Sequence, residues 1–136
     1  MSKQLGFSVE VPFTFDTAVS RVREELKTEG FGVLTEIDLR AAFKEKLGRD
    51  FRPYVILGAC NPPLAFDAIT ADPTVGLLLP CNVTVEWISE SRTGVRLTDP
   101  EALLGTTTLE GASALASVAR DARERMLRVT EALAKH

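Results

Sequence analysis

Between positions 51 and 85 the chain reads FRPYVILGACNPPLAFDAITADPTVGLLLPCNVTV, which contains its two least polar runs and both of its cysteines. The run 54–59 has the length and composition of a buried strand, and the run 75–79 is predicted to be a second buried segment. A Cys-Asn pair follows each run, at positions 60–61 and 81–82. If the two runs are neighbours in one sheet, we expect their ends to place two thiols and two carboxamides together.

The composition of the chain is that of an ordinary globular protein. Its 136 residues are 45% hydrophobic and 26% charged, so we expect a single domain over residues 1–136 that folds without a disulfide or a metal. The net charge of -3 argues against tracking of nucleic-acid phosphates. The sequence shows no signal-peptide pattern and no apolar run of membrane-spanning length, so we expect a cytoplasmic protein with reduced cysteines and no membrane contact.

Hydrophobic periodicity predicts a mixture of strands and helices. Strands are predicted at 5–11, 31–37, 54–59, 83–89 and 95–97. Helices are predicted at 15–26, 39–47, 64–70, 100–104 and along the C-terminal part of the chain. Thr14 and Asp38 are predicted N-caps, and Gly30 is a predicted helix stop. These elements predict a two-layer α+β domain of five or six mainly antiparallel strands, with a long C-terminal helix across one face.

Apolar residues in the C-terminal helix recur at alternating steps of four and three. They are Leu115, Ala119, Ala122, Met126, Val129 and Leu133. Such a narrow seam packs either on the chain's own sheet or on a twin helix, and we favour the sheet because domains are built by covering a sheet face. The seam, together with a strand at 54–59 that is apolar on both faces, nevertheless predicts a homodimer.

The two cysteines have two interpretations. As unpaired thiols, Cys60 and Cys81 are typical small core residues. Alternatively, they form a thiol pair in a cleft, able to act in redox or sulfur-transfer chemistry, and they are then the candidate catalytic residues. The sequence has no CxxC motif, and its single histidine, His136, cannot complete a zinc site or a nucleophile system within one chain. We expect no metal and no cofactor.

The charged residues of the most basic segment and Glu86 are predicted to be solvated positions of the fold rather than parts of a site. Arg40, Lys44, Lys46 and Arg49 form the most basic part of the chain, and we favour a solvated helix face over an anion site. Glu86 alternates with apolar neighbours and is predicted to be a solvated strand position.

Several runs of residues carry a family resemblance. They are GFGVLTEID at 30–38, KLG at 46–48, YVILGACNPPLA at 54–65, GLLLPCNV at 76–83 and DPEA at 99–102. In these runs the chain resembles the family known as domain of unknown function 302, over nearly its whole length. The resemblance implies a small α+β domain whose curved sheet is covered by helices on one side and which commonly pairs as a dimer. It implies no established activity, and so it gives no catalytic residue.

The function predicted from the sequence is that of a cytoplasmic, homodimeric binding or assembly module rather than an enzyme. Its pocket is predicted at the strand ends, where the candidate binding residues are Cys60, Asn61, Pro62, Pro80, Cys81 and Asn82. The alternative is a thiol-dependent redox or sulfur-transfer protein that uses one or both cysteines. The class of ligand or substrate does not follow from the sequence.

Overall fold

The alternation of apolar and polar residues produces five strands, and the helices connect or cover them. The computed structural model describes residues 4–105 and 112–136. The elements in chain order are β1 (Gly6–Val11), α1 (Phe15–Thr28), β2 (Gly32–Asp38), α2 (Leu39–Leu47), β3 (Tyr54–Cys60), α3 (Pro62–Ala71), a 3₁₀ helix (Pro73–Leu78), β4 (Cys81–Ser89), β5 (Arg92–Thr98), α4 (Pro100–Leu104) and α5 (Ala112–Ala134).

The five strands form one antiparallel sheet in the order β1-β5-β4-β3-β2. Because successive side chains point to opposite faces of a sheet, residues that pair across strands share a face. Leu57, Val83 and Leu97 are in register across the three central strands and are fully buried. At the next position, Thr84 and Arg96 are paired on the opposite face, which is polar at this row. The sheet therefore has one apolar face and one mixed face.

Helices α1 and α5 lie over the apolar face and complete the core. Their core side chains are Ala18, Val22 and Leu26 from α1, and Met126, Val129 and Leu133 from α5. Helix α5 contacts β1, β5 and α1 in addition to α3 and α4. The interpretation that the helical seam packs on the chain's own sheet is therefore confirmed.

Side-chain caps and glycines set the ends of the helices where the sequence predicts them. Thr14 and Asp38 each accept a hydrogen bond from a backbone N–H in the first turn of α1 and α2. Gly30 follows α1 with a φ of 85°, and Gly48 follows α2 with a φ of 64°. Since this left-handed region favours glycine, these two residues end their helices at low cost.

The run 75–79 does not extend beside β3 in the sheet. It belongs mostly to the 3₁₀ helix (Pro73–Leu78), whose first turn is capped by the carboxylate of Asp72. Only Val75 of this helix is buried, and Leu77 is 87% exposed. The prediction of a second buried segment at 75–79 is therefore wrong for most of the run, and the condition that the two runs are neighbours in the sheet is not met. A short apolar run has no period that distinguishes a strand from a helical turn.

The architecture is a two-layer α+β fold with a long C-terminal helix, so the predicted fold class is confirmed. Several boundaries differ from the prediction, and the largest difference is at β5, which begins at Arg92 rather than at position 95. Strand β4 begins at Cys81, two residues earlier than expected, and α3 begins at Pro62. Within residues 4–105 and 112–136, no helix is long and apolar enough to cross a membrane.

Candidate functional site

The antiparallel pairing of β3 with β4 brings the two cysteines to one end of the sheet. Strand β3 ends at Cys60, and β4 begins at Cys81. Ala59 pairs directly with Cys81, so that Cys60 is one residue beyond this pair on the adjacent strand. The two thiols therefore lie on neighbouring strand ends.

A cavity of about 320 Å³ lies beside these strand ends. The candidate residues that line it are Cys60, Asn61, Pro80 and Cys81. Much of the remaining wall is apolar and comes from α3, the 3₁₀ helix, α4 and α5. These residues include Leu64, Ala65, Ala68, Val75, Leu78, Leu104, Leu115, Val118 and Ala119. The first half of the α5 seam thus faces the cavity, while its second half faces the sheet.

The wall of the cavity offers few polar groups. Its polar side chains, in the part of the chain that the structure describes, are those of Thr35, Cys60, Asn61 and Cys81, and none of the described lining residues is charged at neutral pH. Since an unpaired charge is costly to remove from water, such a wall favours uncharged, apolar occupants.

The carboxamide of Asn61 is used by the fold. Its Oδ1 accepts the backbone N–H of Leu64 at 3.3 Å, which caps α3, and its Nδ2 donates to the carbonyl oxygen of Glu29 at 3.3 Å. Arg125 donates to the same carbonyl oxygen at 2.9 Å. Pro62 occupies the first turn of α3, where its missing N–H leaves no helix bond unmade, and it does not line the cavity. The carbonyl oxygen of Glu29, at the end of α1, is therefore shared by Asn61, which caps α3, and by Arg125 of α5.

The ring of Pro80 lies close to Gly58, a glycine in the middle of β3. A Cβ atom at Gly58 would lie 2.8 Å from Cγ of Pro80 and would also collide with the hydroxyl of Thr35. Both Pro80 and Thr35 line the cavity. The absence of a side chain at Gly58 therefore lets two parts of the wall approach the sheet closely.

Asn82 lies apart from the other candidate residues. It pairs with Gly58, is exposed, and does not line the cavity. Its backbone carbonyl accepts the hydroxyl of Thr98 at 2.6 Å. The first Cys-Asn pair ends a strand, whereas the second begins one, so Asn82 stays in the sheet while Asn61 enters a helix. The structure does not bring the two carboxamides together.

The thiol of Cys81 lies in an environment that disfavours its thiolate. Burial, and to a lesser extent the neighbouring Cys60, raise the pKa of Cys81 to about 11. Among the described lining residues there is no lysine, arginine or histidine to stabilise a thiolate. Nor do the described residues include three His, Cys, Asp or Glu side chains grouped closely enough to hold a metal ion.

The structure corrects the interpretation of Glu86, which is only 9% exposed rather than solvated. Its Oε1 accepts from Arg96 at 2.7 Å, and its Oε2 accepts from Arg52 at 2.6 Å. The hydrogen bond from Arg96, followed by that from Arg52, lowers the pKa of Glu86 against the opposing effect of burial. The alternation pattern missed this cluster because Arg96 lies on the neighbouring strand β5 and Arg52 lies 34 residues away along the chain. In the basic helix α2, Lys44 forms an ion pair with Asp50.

The five-stranded sheet, its layer of helices and the cavity at the strand ends define a small α+β domain with an apolar cavity. Residues 7–133 match the family described as Domain of unknown function DUF302, and the chain belongs to that family. The crystal structure of the uncharacterized conserved protein DUF302 from Bacillus stearothermophilus is similar, with a TM-score of 0.83 and 31% sequence identity. That similarity covers 95% of this chain and 98% of the other. None of the curated proteins matches this chain.

Proposed function

We propose that this protein is a non-catalytic binding module that holds a small, uncharged, apolar molecule in the cavity beside Cys60 and Cys81. The observation that carries the proposal is the chemistry of the cavity wall, which is apolar and free of charge among the described residues. The volume of about 320 Å³ lies at the lower end of the range of about 300–1,000 Å³ that is usual for ligand pockets. Both cysteines are unpaired, which is consistent with the cytoplasm, the compartment that we propose.

The test of this function fills the cavity from helix α5. Ala119 is buried and lines the cavity, whereas Ala116 is exposed on the same helix. Ala119→Leu is expected to lower the affinity for the uncharged fluorescent probe N-phenyl-1-naphthylamine about tenfold or more. The free energy of unfolding is expected to stay the same or to rise by about 0.5–2 kcal/mol, because the added side chain occupies empty space. Fluorescence titration and urea unfolding measure the two effects.

Ala116→Leu is the matched control, since it adds the same side chain on the solvent side of α5. It is expected to leave the probe affinity unchanged. If the probe does not bind the unaltered protein, or if both variants bind it equally well, the cavity is not the binding site and the proposed function fails.

A second copy of the chain is the proposed partner, and β2 and α2 are its proposed contact surface. Strand β2 is an edge strand of the sheet as far as the described residues show, paired with β3 on one side, and it exposes Leu34 and Ile37. No side chain of α2 is fully buried, and Leu47 is largely exposed. An exposed apolar edge strand can pair with an identical strand across a twofold axis, which supports an isologous dimer.

The dimer proposal predicts the effect of a charge on β2. Ile37→Lys is expected to weaken self-association about tenfold or more, because the contact would have to bury an ammonium group. Ile88→Lys on β4 is the control, since the exposures of Ile37 and Ile88 are similar at 48% and 43%. Sedimentation equilibrium measures both variants. A monomeric unaltered protein would disprove the dimer, and equal weakening by both changes would disprove the assignment to β2.

The alternative function, thiol-dependent redox or sulfur transfer, has one supporting observation: Cys60 and Cys81 lie on adjacent strand ends and both line the cavity. The raised pKa of Cys81 opposes it, because the thiolate is the reactive form.

Alkylation of the native protein by iodoacetamide, read by intact mass, tests the thiol alternative. With a pKa of about 11, about one Cys81 thiol in a thousand is ionised at pH 8, so its alkylation is expected to be slow and to accelerate up to about pH 11. Cys60→Ser isolates the signal of Cys81, and protein unfolded in urea supplies the fully reactive reference. Rapid modification of native Cys81 at pH 7 would favour the thiol function over the binding module.

A further inference from the structure

A groove of about 620 Å³ crosses the mixed face of the sheet, opposite the helices α1 and α5. It runs over parts of β1, β5, β4 and β3. Its lining includes Ser8, Tyr54, Thr84 and Arg96. Register explains this grouping, because Ser8, Arg96 and Thr84 lie in one row across three strands and so project from the same face. The groove is separate from the cavity, which lies at the ends of β3 and β4.

The cluster of Glu86, Arg52 and Arg96 on this face carries a net positive charge. Glu86 is the shared partner of Arg52 and Arg96, so that one carboxylate faces two guanidinium groups. One positive charge is left over, and Arg96, whose side chain is 57% exposed, reaches the groove. No acidic side chain lines the groove in the described part of the chain. The excess charge is therefore accessible to an anion.

Arg96 also has hydrogen-bond donors to spare. A guanidinium group has five N–H donors in a planar arrangement. Only its Nη1 makes a hydrogen bond, to Glu86, within residues 4–105 and 112–136. Its bond to Glu86 raises the pKa of Arg96, which keeps the guanidinium charged. The remaining donors have the geometry that binds a carboxylate in a bidentate manner.

A hydroxyl group without a partner lies next to Arg96. The Oγ1 atom of Thr84 is buried and makes no hydrogen bond in the described structure, and Thr84 is the residue paired with Arg96 on the adjacent strand. A buried polar group without a partner is unfavourable, and such groups are rare in folded proteins. The hydroxyls of Ser8 and Tyr54 supply further donors along the groove.

We infer that this groove is a second ligand site, which binds a small monocarboxylate through Arg96, with the hydroxyl of Thr84 in the groove wall as an additional donor. A single excess positive charge matches one carboxylate rather than a polyanion, and the net charge of -3 opposes binding of multiply charged ligands. The exposed side chain of Leu5, which also lines the groove, provides an apolar contact for the carbon chain of the ligand.

The test is an NMR titration of the amide resonances with sodium butyrate, at an ionic strength held constant with sodium chloride. Saturable shifts are expected at the amides of Arg96 and Thr84. Arg96→Gln is expected to weaken butyrate binding about tenfold or more, because charge-assisted hydrogen bonds are lost. Thr84→Val removes a hydroxyl that has no partner in the fold, so the variant is expected to fold normally and to bind butyrate several-fold more weakly.

Arg92→Gln is the matched control, since Arg92 lies on the same strand, forms its ion pair with Glu10 and does not line the groove. It is expected to bind butyrate like the unaltered protein. Shifts that do not saturate, or that Arg96→Gln leaves unchanged, would overturn the inference. Tighter binding of inorganic phosphate than of butyrate would also overturn the inference. So would chemical shifts that depend on protein concentration instead of butyrate concentration, because this face of the sheet would then contact a second copy of the chain.

Discussion

Replacing Met126 by alanine is expected to lower the free energy of unfolding by about 2–5 kcal/mol. Met126 is fully buried in α5, and it belongs to the core cluster that includes Val22 and Leu26 of α1 and Leu97 of β5. The shorter side chain removes apolar contacts and leaves a void that a close-packed core fills only partly. Urea unfolding monitored by circular dichroism measures the loss.

Two further variants show whether the loss comes from packing on the chain's own sheet. Met126→Leu conserves volume and is expected to cost less than about 1.5 kcal/mol. Arg120→Ala, at an exposed position of α5, is expected to change stability by no more than about 0.5 kcal/mol. If Met126→Ala instead dissociates an oligomer while the stability of the monomer is unchanged, the seam packs on a twin helix, and the described packing of α5 is wrong.

The sequence predicts the elements of this fold well because most of them carry a periodic pattern and a local cap. The α5 seam is an example: its spacing identifies the helix, and its burial on the sheet follows from the general need to cover a sheet face. The 3₁₀ helix (Pro73–Leu78) is the counterexample, since its short apolar run has no period, and only Val75 of the helix is buried.

The candidate site is predictable only in part, for a related reason. The Cys-Asn pairs mark two strand ends, and antiparallel pairing places Cys60 and Cys81 on neighbouring strand ends. Asn61 follows β3 and caps α3, whereas Asn82 is paired within β4, and this is what separates the two asparagines. The cluster of Glu86 with Arg52 and Arg96 is set by the register of β4 with β5 and by the position of Arg52 just before β3, which the alternation within one strand does not contain.

Gly58→Ala is expected to destabilise the protein by about 1–3 kcal/mol, although alanine normally favours folding over glycine by up to about 1 kcal/mol. The added methyl group would lie 2.8 Å from Cγ of Pro80 and would collide with the hydroxyl of Thr35. Thr35 can rotate its side chain, but the ring of Pro80 is rigid, so the backbone near Pro80 has to move. Urea unfolding measures the change in stability.

Gly32→Ala on the neighbouring strand is the matched control. A Cβ atom at Gly32 meets nothing within 4 Å, and the residue does not have a positive φ, so alanine there is expected to be neutral or slightly stabilising. Equal effects of the two changes would mean that the close approach of Pro80 to Gly58 does not exist.

The same variant connects the fold to the proposed function. Pro80 and Thr35 both line the cavity, so a methyl group at Gly58 displaces two parts of its wall at once. Gly58→Ala is therefore expected to weaken binding of N-phenyl-1-naphthylamine as well as to destabilise the fold. Met126→Ala alters the core away from the cavity lining, so it is expected to reduce stability alone. If the two variants instead reduce probe affinity to the same extent, the loss of binding reports general destabilisation. The assignment of the probe to this cavity then depends only on the comparison of Ala119→Leu with Ala116→Leu.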